Sequence, residues 1–261
     1  MSLASYRALV EKCKPIELIA TSGVVEKQRI VKDQGEIEIT REAVRIAERA
    51  FESVCPMLTT ESTERAVAHE LEAKMRWLGA DGCSFAPIVA AGPSGALPHY
   101  FPSADAIGQS ATLLIDWGAS YRGYASDLSR TLHRQHASEA FRSSYQAVLE
   151  AQRAAIDAIR PGVLAREVDA VARKVLDKAG LGEAFKHGLG HGTGLQIHES
   201  PRMSSISEEE LCSGMIITVE PGVYFEGDFG IRIEDDVLVT DTGHEVLSRL
   251  PKGLDDCRLM L

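Results

Sequence analysis

Residues 187–199 read His-Gly-Leu-Gly-His-Gly-Thr-Gly-Leu-Gln-Ile-His-Glu and are the most informative stretch of this 261-residue chain. Three of the eight histidines of the chain lie within it, at His187, His191 and His198. Neutral imidazole is a common ligand for transition metals, and the glycines between the histidines allow other groups to approach closely. The spacing differs from that of H-E-x-x-H helices and of zinc fingers. The stretch therefore indicates either a metal site of another kind or a glycine-rich loop with incidental histidines.

Acidic residues end apolar runs on both sides of this stretch. Asp116 ends one such run, and Asp127 follows it by eleven residues on a predicted returning strand, so that a hairpin can bring the two together. Glu220 closes a later run. Arg232 and Glu234 alternate with isoleucines, so on a strand both would face one side. Each piece alone also fits a simpler interpretation, either strand-end acids in turns or an Arg–Glu surface pair.

Together, four carboxylates and one imidazole form an oxygen-rich ligand set. Such a set suits two divalent ions, such as Mn, Co, Fe or Zn, better than one structural zinc, which prefers thiolates. Two ions about 3.5–4 Å apart can share a bridging water and lower its pKa, so that a hydroxide exists near neutral pH. The predicted metal ligands are Asp116, Asp127, His191, Glu220 and Glu234.

The order of predicted elements favours an α+β fold. Amphipathic helical patterns occur at about 26–52, 60–78, 138–159 and 165–179. Short apolar runs predict strands at 84–91, 112–116, 124–133, 215–220, 222–225, 230–234 and 237–240. Helices followed by strands thus occur twice, which is typical of antiparallel sheet with helices packed on one face. Residues 1–25 are only weakly patterned.

Composition limits the function classes. The formal net charge is -10 and the pI is about 5.3, which argues against binding to nucleic acid and to anionic membranes. No apolar stretch approaches the roughly 20 residues of a membrane span, and the N-terminus lacks the pattern of a signal peptide. The five cysteines are scattered without a C-x-x-C pair, which indicates reduced thiols and a cytoplasmic protein.

Six motifs together carry a family resemblance between about Glu26 and Thr242. They are A-L-P-H-Y at 96–100, D-W-G-A at 116–119, Y-R-G-Y-A-S-D-L-S-R-T at 121–131, H-G-L-G-H-G-T-G-L-Q-I-H-E at 187–199, V-E-P-G-V-Y at 219–224 and G-I-R-I-E-D at 230–235. With these motifs, in this order, the chain resembles the pita-bread metallopeptidases, specifically the proline-peptidase branch of Xaa-Pro aminopeptidases and Xaa-Pro dipeptidases (prolidases). The resemblance implies a pita-bread fold, an antiparallel sheet with helices on its outer face and two pseudo-related halves.

The resemblance also implies a role for each matching residue. Asp116 would bind one metal ion, Asp127 and Glu234 would bridge both, and His191 and Glu220 would hold the second. The nucleophile would be a hydroxide that bridges the ions, with Glu220 as the general base.

Further residues match positions around the metal ligands. His99 and His198 would bind the substrate backbone and stabilise the oxyanion, and His187 and Arg232 would line the substrate pocket. The implied cofactors are two divalent ions, Mn or Co first and Zn or Fe as alternatives. The implied partner is a peptide or dipeptide with proline in second position, and homodimers are common in the family.

Three alternatives stay open beside this interpretation. Methionine aminopeptidase shares the fold and ligands, but usually has His-Gly-Asp where this chain has Ala125-Ser126-Asp127, and methionine where it has Gly222. A non-catalytic pita-bread module usually lacks metal ligands, and a creatinase-type hydrolase works without metal.

Proline-branch enzymes usually carry a large additional N-terminal domain. We therefore expect residues 1–25 to be a remnant of such a domain or a linker, and residues 26–261 to be the catalytic domain.

Overall fold

The structure is a computed structural model and describes residues 1–259. The α-helices of this part of the chain are α1 (Leu3–Lys12), α2 (Val24–Arg29), α3 (Gln34–Val54), α4 (Glu64–Trp77), α5 (Glu139–Ala158) and α6 (Ala165–Lys178). The strands are β1 (Gly82–Cys83), β2 (Ile88–Ala91), β3 (Thr112–Trp117), β4 (Ala119–Tyr121), β5 (Tyr124–Ala125), β6 (Leu128–His133), β7 (Gly190–Gly192), β8 (Glu199–Met203), β9 (Ile216–Val219), β10 (Gly222–Phe225), β11 (Phe229–Arg232), β12 (Asp235–Val239) and β13 (His244–Val246). This confirms the predicted α+β class.

The predicted helices form because apolar residues recur at helical spacing and side chains cap the helix ends. Helix α3 begins with a capping box, in which the Asp33 side chain accepts from the Glu36 backbone N–H and the Glu36 side chain accepts from that of Asp33. Ser138 caps α5 by accepting from the backbone N–H of Phe141. Helix α1 lies in the weakly patterned N-terminal stretch, and none of its residues is buried.

The paired strands of the described chain are antiparallel and form four sheets. The largest has the order β13-β12-β9-β7-β8, and a second has the order β2-β3-β6. In the second sheet Asp116 of β3 pairs with Ser129 of β6, and Ser129 in turn bridges to Glu234. The predicted hairpin partners, β3 and β6, are therefore neighbours, and the register places acidic residues from both halves of the sequence side by side.

The core joins helices to sheets. Trp117, at the end of β3, stacks on Phe51 of α3 with ring centroids 4.4 Å apart. Its indole N–H donates to the carbonyl of Ala47 at 2.9 Å, so the buried polar atom of this large side chain is satisfied. This packing fixes the end of the strand that carries Asp116.

A buried polar network ties the C-terminal segment to the strands. The fully buried Arg130 donates to the Asp235 carboxylate at 2.8 Å and to the carbonyls of Glu234 and Leu250 at 2.6 and 2.9 Å. Asp235 also accepts from Gln152 at 2.8 Å. Charges this deeply buried are tolerated because each is paired and hydrogen-bonded.

Several predicted strands differ in extent. The predicted strand 84–91 is regular only at Ile88–Ala91, since Ser84 instead donates its hydroxyl to the carbonyl of Ser126. The predicted strand 124–133 is interrupted between β5 and β6, because the Asp127 N–H donates to the Asp236 side chain rather than to a strand. The run 230–234 leaves strand geometry after Arg232. Strands β7 and β8 were not predicted.

Candidate active site

One cleft of about 1450 Å³ brings the sequence-predicted site residues together. Its lining includes all nine of them, although they come from both halves of the sequence. They are His99, Asp116, Asp127, His187, His191, His198, Glu220, Arg232 and Glu234. The structure thus places together every residue that the sequence analysis singled out, and leaves none elsewhere.

Three of these side chains meet at the floor of the cleft. One ligand atom from each of Asp127, His191 and Glu234 lies within 4.8 Å of the others. His191 Nε2 is 3.5 Å from Asp127 Oδ2 and 3.4 Å from Glu220 Oε1. Asp116 lies beside this group, because it pairs with Ser129, and Ser129 bridges to Glu234.

The hydrogen bonds of His191 fix which ring nitrogen faces the carboxylates. Its Nδ1 lies 3.1 Å from the carbonyl of Gly192 and donates its proton there. Burial lowers the pKa of His191 to about 4, so the ring is neutral at physiological pH. Nε2 therefore carries a free lone pair and points to the carboxylates, as metal-binding imidazoles do.

The clustered carboxylates raise one another's pKa. Burial, followed by the charges of Glu234, Asp116 and Glu220, raises the pKa of Asp127 well above its ordinary value. Burial and the neighbouring acids do the same for the pKa of Glu234. Burial also raises the pKa of Glu220, to about 7, although the positive charge of Arg232 opposes it. In the absence of a metal ion, these carboxyls therefore keep protons at pH values where isolated carboxyls are ionised.

This donor set fits divalent metal ions. It combines four carboxylates and an imidazole lone pair in a buried space, where bound protons or a cation must offset the repulsion between the carboxylates. In addition, Asp116 Oδ1 is buried and has no hydrogen-bond partner among residues 1–259. An unsatisfied buried carboxylate oxygen is costly unless a ligand completes its contacts.

A chain of hydrogen bonds around Arg232 orders the site. Arg232 is buried, and donates to Asp116 Oδ2 at 2.5 Å, to Ser129 Oγ at 2.9 Å and to Tyr224 Oη at 2.8 Å. The Ser129 hydroxyl then donates to Glu234 Oε2 at 2.6 Å. One guanidinium therefore orients two of the proposed metal ligands, one directly and one through a serine.

The same chain continues to His187. Burial lowers the pKa of His187 to about 4, and its Nδ1 donates to the carbonyl of Gly188 at 2.7 Å. Its Nε2 therefore accepts from the Tyr224 hydroxyl at 2.9 Å. Because Tyr224 receives a bond from Arg232, the direction of each hydrogen bond in the series is fixed.

His99 and His198 are the exposed histidines of the cleft. The ring of His198 packs edge-on against that of His191, with centroids 4.3 Å apart. Partial burial and the charge of His99 lower the pKa of His198. A neutral, accessible imidazole beside the floor of the cleft can donate a hydrogen bond to a substrate.

Ser129 and Tyr224 were not predicted as site residues. Both lie in quoted motifs, and each follows a singled-out position by two or four residues: Ser129 after Asp127, and Tyr224 after Glu220. The strand alternation was the available signal, because residues two apart on a strand face the same side. A hydroxyl on the same face as a candidate ligand is a natural orienting partner.

The chain shares its fold and much of its sequence with known peptidases. A model of metallopeptidase family M24 matches residues 38–241. The Xaa-Pro dipeptidase of Pyrococcus furiosus is 40% identical over 254 residues, which are 97% of this chain and 73% of that protein. The X-Pro aminopeptidase structure from Thermotoga maritima has a TM-score of 0.93 at 38% identity, covering 97% of this chain and 72% of that one. For the Xaa-Pro dipeptidase from Bacillus anthracis the TM-score is 0.94 at 42% identity, with coverages of 97% and 71%.

The fold and the cleft therefore define a metal-dependent exopeptidase, and the chain belongs to metallopeptidase family M24. Within that family it falls in the proline-peptidase branch, as its motifs predicted. The prediction of the pita-bread fold is confirmed by the same structures.

Proposed function

We propose that this chain hydrolyses the peptide bond between an N-terminal residue and proline, in dipeptides or in longer peptides. The observation that carries the proposal is the convergence of His191 Nε2 with the carboxylates of Asp127, Glu220 and Glu234 at the floor of one cleft. The named activities of the relatives from Pyrococcus furiosus and Thermotoga maritima support proline in second position.

The proposed metal ligands are the five predicted side chains, Asp116, Asp127, His191, Glu220 and Glu234. Two bound divalent ions, Mn or Co first and Zn or Fe as alternatives, would supply a hydroxide near neutral pH. The protein's part is to hold the ligands in place. Arg232 and Ser129 do so for Asp116 and Glu234 through the hydrogen bonds described above.

Glu220 is the proposed general base. Its Oε1 accepts a hydrogen bond from the Thr218 hydroxyl at 3.3 Å, which orients the carboxylate beside His191. In this position it takes a proton from the attacking water and can return it to the leaving group. Because the Thr218 hydroxyl already holds the carboxylate, less entropy is lost when the base reaches its reactive orientation.

His99 and His198 are the proposed substrate-binding and transition-state groups. Both stand on the wall of the cleft, where an N–H can donate to the carbonyl oxygen of the scissile bond. That hydrogen bond strengthens as negative charge develops on the oxygen. We propose that His198 also assists the transfer of a proton to the proline nitrogen through a hydrogen bond, and that His187 and Arg232, which line the same cleft, contribute to substrate binding.

A substrate panel tests the proposal. The protein is loaded with Mn or Co and offered Xaa-Pro, Xaa-Pro-Yaa and Met-Yaa peptides. We expect cleavage before proline, and no comparable cleavage of the Met-Yaa peptide without proline. Preferential cleavage of Met-Yaa would contradict the proposal, and the ratio between the two proline substrates separates dipeptidase from aminopeptidase activity.

The control is Glu220→Gln, which keeps the size of the side chain but removes the base. We expect it to retain the circular-dichroism spectrum of the wild type and to lose turnover by at least about 100-fold. Wild-type turnover in this variant would overturn the role of Glu220.

Two broader points accompany the proposal. We propose residues 26–261 as the catalytic domain, of which residues 38–241 match the family model. None of the helices in the described chain has the length and apolar composition needed to cross a bilayer. The cytoplasmic location stays a prediction, which fractionation of cells expressing the protein would test.

A further inference from the structure

Two cations from the N-terminal part of the chain hold one carboxylate at the edge of the active-site cleft. Arg29, the last residue of α2, donates from Nη2 to Glu199 Oε1. Lys32 Nζ donates to Glu199 Oε2 at 3.3 Å. Glu199 begins β8 and follows His198 directly in the sequence. The acid therefore connects the N-terminal segment to the residue that we propose as a transition-state donor.

The ion pairs are buried. The side chains of Lys32 and Glu199 are only 1% and 6% exposed. Lys32 is fixed further by its backbone N–H, which donates to the carbonyl of Gly214 at 2.9 Å, and by a bond from Nζ to the carbonyl of Ile30 at 3.2 Å. A buried ion pair is strongly sensitive to the loss of one partner, because the other charge is then left uncompensated.

Glu199 also contacts the backbone of the loop that carries His198. Its Oε1 accepts from the backbone N–H of Gln196 at 2.9 Å. A side chain at Gly194 would place its Cβ 2.8 Å from Glu199 Oε2 and 2.9 Å from Lys32 Cε, so the loop backbone packs directly on the ion pair. The carboxylate thus closes the loop between residues 194 and 199.

The closed loop fixes where the imidazole of His198 can be. His198 lies between Gln196, whose N–H the carboxylate binds, and Glu199 itself. Its ring packs against His191 with centroids 4.3 Å apart. His198 is exposed to the cleft, so the loop, the pairing of Glu199 with Gly192 and the ring contact with His191 restrain it.

We propose that Glu199, together with Lys32 and Arg29, is a positioning unit that sets the orientation of His198 in the cleft. The unit contributes none of the proposed metal ligands, and acts through the loop at 194–198. The kinetic part of this inference rests on the proposed function. Its structural part does not.

The kinetic test compares Lys32→Met with Lys32→Arg in the metal-loaded enzyme, using an Xaa-Pro substrate. We expect Lys32→Met to lower kcat about tenfold or more with KM changed by less than about twofold, because a misplaced donor weakens transition-state rather than ground-state binding. Lys32→Arg keeps the charge and should restore most of the lost kcat. Equal impairment of the two variants would overturn the inference.

The control is Arg41→Met, at a pair whose side chains are 20% and 44% exposed. Arg41 of α3 binds Glu245 of β13 with bonds of 2.5 and 2.6 Å, also a long-range ion pair of the N-terminal region, but one whose members do not line the cleft. We expect it to leave kcat and KM unchanged. A fall in kcat equal to that of Lys32→Met would show that the effect is general destabilisation, and would overturn the inference.

A second readout works without metal and without activity. The His198 ring resonance in the metal-free protein, identified by its loss in His198→Gln, should shift or broaden in Lys32→Met and remain in place in Arg41→Met. An unchanged resonance would overturn the inference. If Lys32→Met does not fold, Glu199→Gln takes its place with the same two readouts. Absence of turnover in the loaded wild type would count against the proposed function only, since the resonance still reports the positioning.

Discussion

At the residue scale, the site depends on neutral and cationic side chains that hold acids in fixed positions. Ser129 is the clearest case, because its hydroxyl accepts from Arg232 and donates to Glu234. It contributes no charge and lies outside the proposed ligand set. It orients one carboxylate oxygen of Glu234. Residues that hydrogen-bond to metal ligands commonly orient them in this way.

We therefore expect Ser129→Ala to weaken metal binding by about 10- to 100-fold while the fold is retained. Isothermal titration with Mn measures the affinity, and the urea midpoint of the metal-free protein reports on the fold. Ser143→Ala is the control, because that exposed hydroxyl bonds only to carbonyls of its own helix. An unchanged affinity in Ser129→Ala would contradict the orienting role.

The residue types of the site were predictable from the sequence, whereas their partners were not. Acids that end apolar runs are chemically out of pattern, so Asp116 and Glu220 were visible one by one. Ser129 and Tyr224 both bond to Arg232. Ser129 lies 103 positions from Arg232 in the sequence, and Tyr224 lies 8 positions from it. A serine and a tyrosine are ordinary in strands, and nothing local shows which guanidinium they will meet.

At the element scale, glycines allow strands to approach where side chains would not fit. Gly190 lies on β7, next to His191, and a Cβ there would meet the carbonyl oxygen of Thr218 at 2.2 Å. This close approach lets the Thr218 hydroxyl accept from the backbone N–H of His191 at 3.1 Å. The position of the imidazole therefore depends on the absence of a side chain at residue 190.

Accordingly, Gly190→Ala should lower the free energy of unfolding by about 3 kcal/mol, because the added carbon overpacks a rigid backbone contact. It should also reduce metal affinity, since His191 moves with the strand. Urea unfolding measures the first effect and metal titration the second. Gly243→Ala is the control with open space around its Cβ, and we expect it to be nearly neutral. If Gly190→Ala is as stable as the wild type, β7 and β9 can move apart without loss of stability, which would contradict the prediction.

The helices were predicted better than the strands for a physical reason. Helices α3 and α5 have long apolar faces and side-chain caps, so their signals are local and repeat many times. Strands β7 and β8 lie in glycine- and histidine-rich sequence without apolar alternation. β7 pairs with β9 on one side and with β8 on the other. This pairing depends on the assembled sheet and not on the local sequence.

At the scale of the whole molecule, the buried charge of Arg130 joins β6, the Glu234 backbone and the C-terminal segment. Replacing Arg130 with Met should cost about 3–5 kcal/mol, because Asp235 is left buried with one cation fewer. Thermal or urea unfolding measures the loss. Arg166→Met, at an exposed pair 3.5 Å from Glu208, should change stability by less than about 0.5 kcal/mol. Similar losses in the two variants would contradict the assignment.

The pH dependence of the metal-free protein follows from the raised pKa of its carboxyls. Folding raises the pKa of Glu220 from 4.5 to about 7, so in this range the folded protein binds more protons than the unfolded chain. Stability is therefore lost as the pH rises. His187 and His191 have lowered pKa values and act in the opposite sense, and their contribution is complete only about one pH unit above their ordinary pKa of 6.5, where the unfolded chain has lost its imidazole protons.

Between about pH 6.5 and 8 the raised carboxyls of Asp127, Glu220 and Glu234 oppose the remaining effect of these two histidines and outnumber them. In EDTA we therefore expect a net loss of stability over this interval, and Glu220→Gln to reduce the loss. Saturating Mn should reverse it and raise Tm, because the ion binds only the folded form. Urea titrations at the two pH values provide the measurement. A metal-free protein that gains stability over this interval would show that the acids are not crowded.

The register that joins Asp116, Ser129 and Glu234 also has a consequence for synthesis on the ribosome. Asp116 and Asp127 leave the exit tunnel long before Glu234, the last of the proposed ligands, which lies close to the C-terminal end of the described chain. Until it emerges, the growing chain presents only a partial set of ligands. The proposed site therefore cannot form until residue 234 has emerged and its segment has paired, so we expect the growing chain to bind no pair of ions before that point.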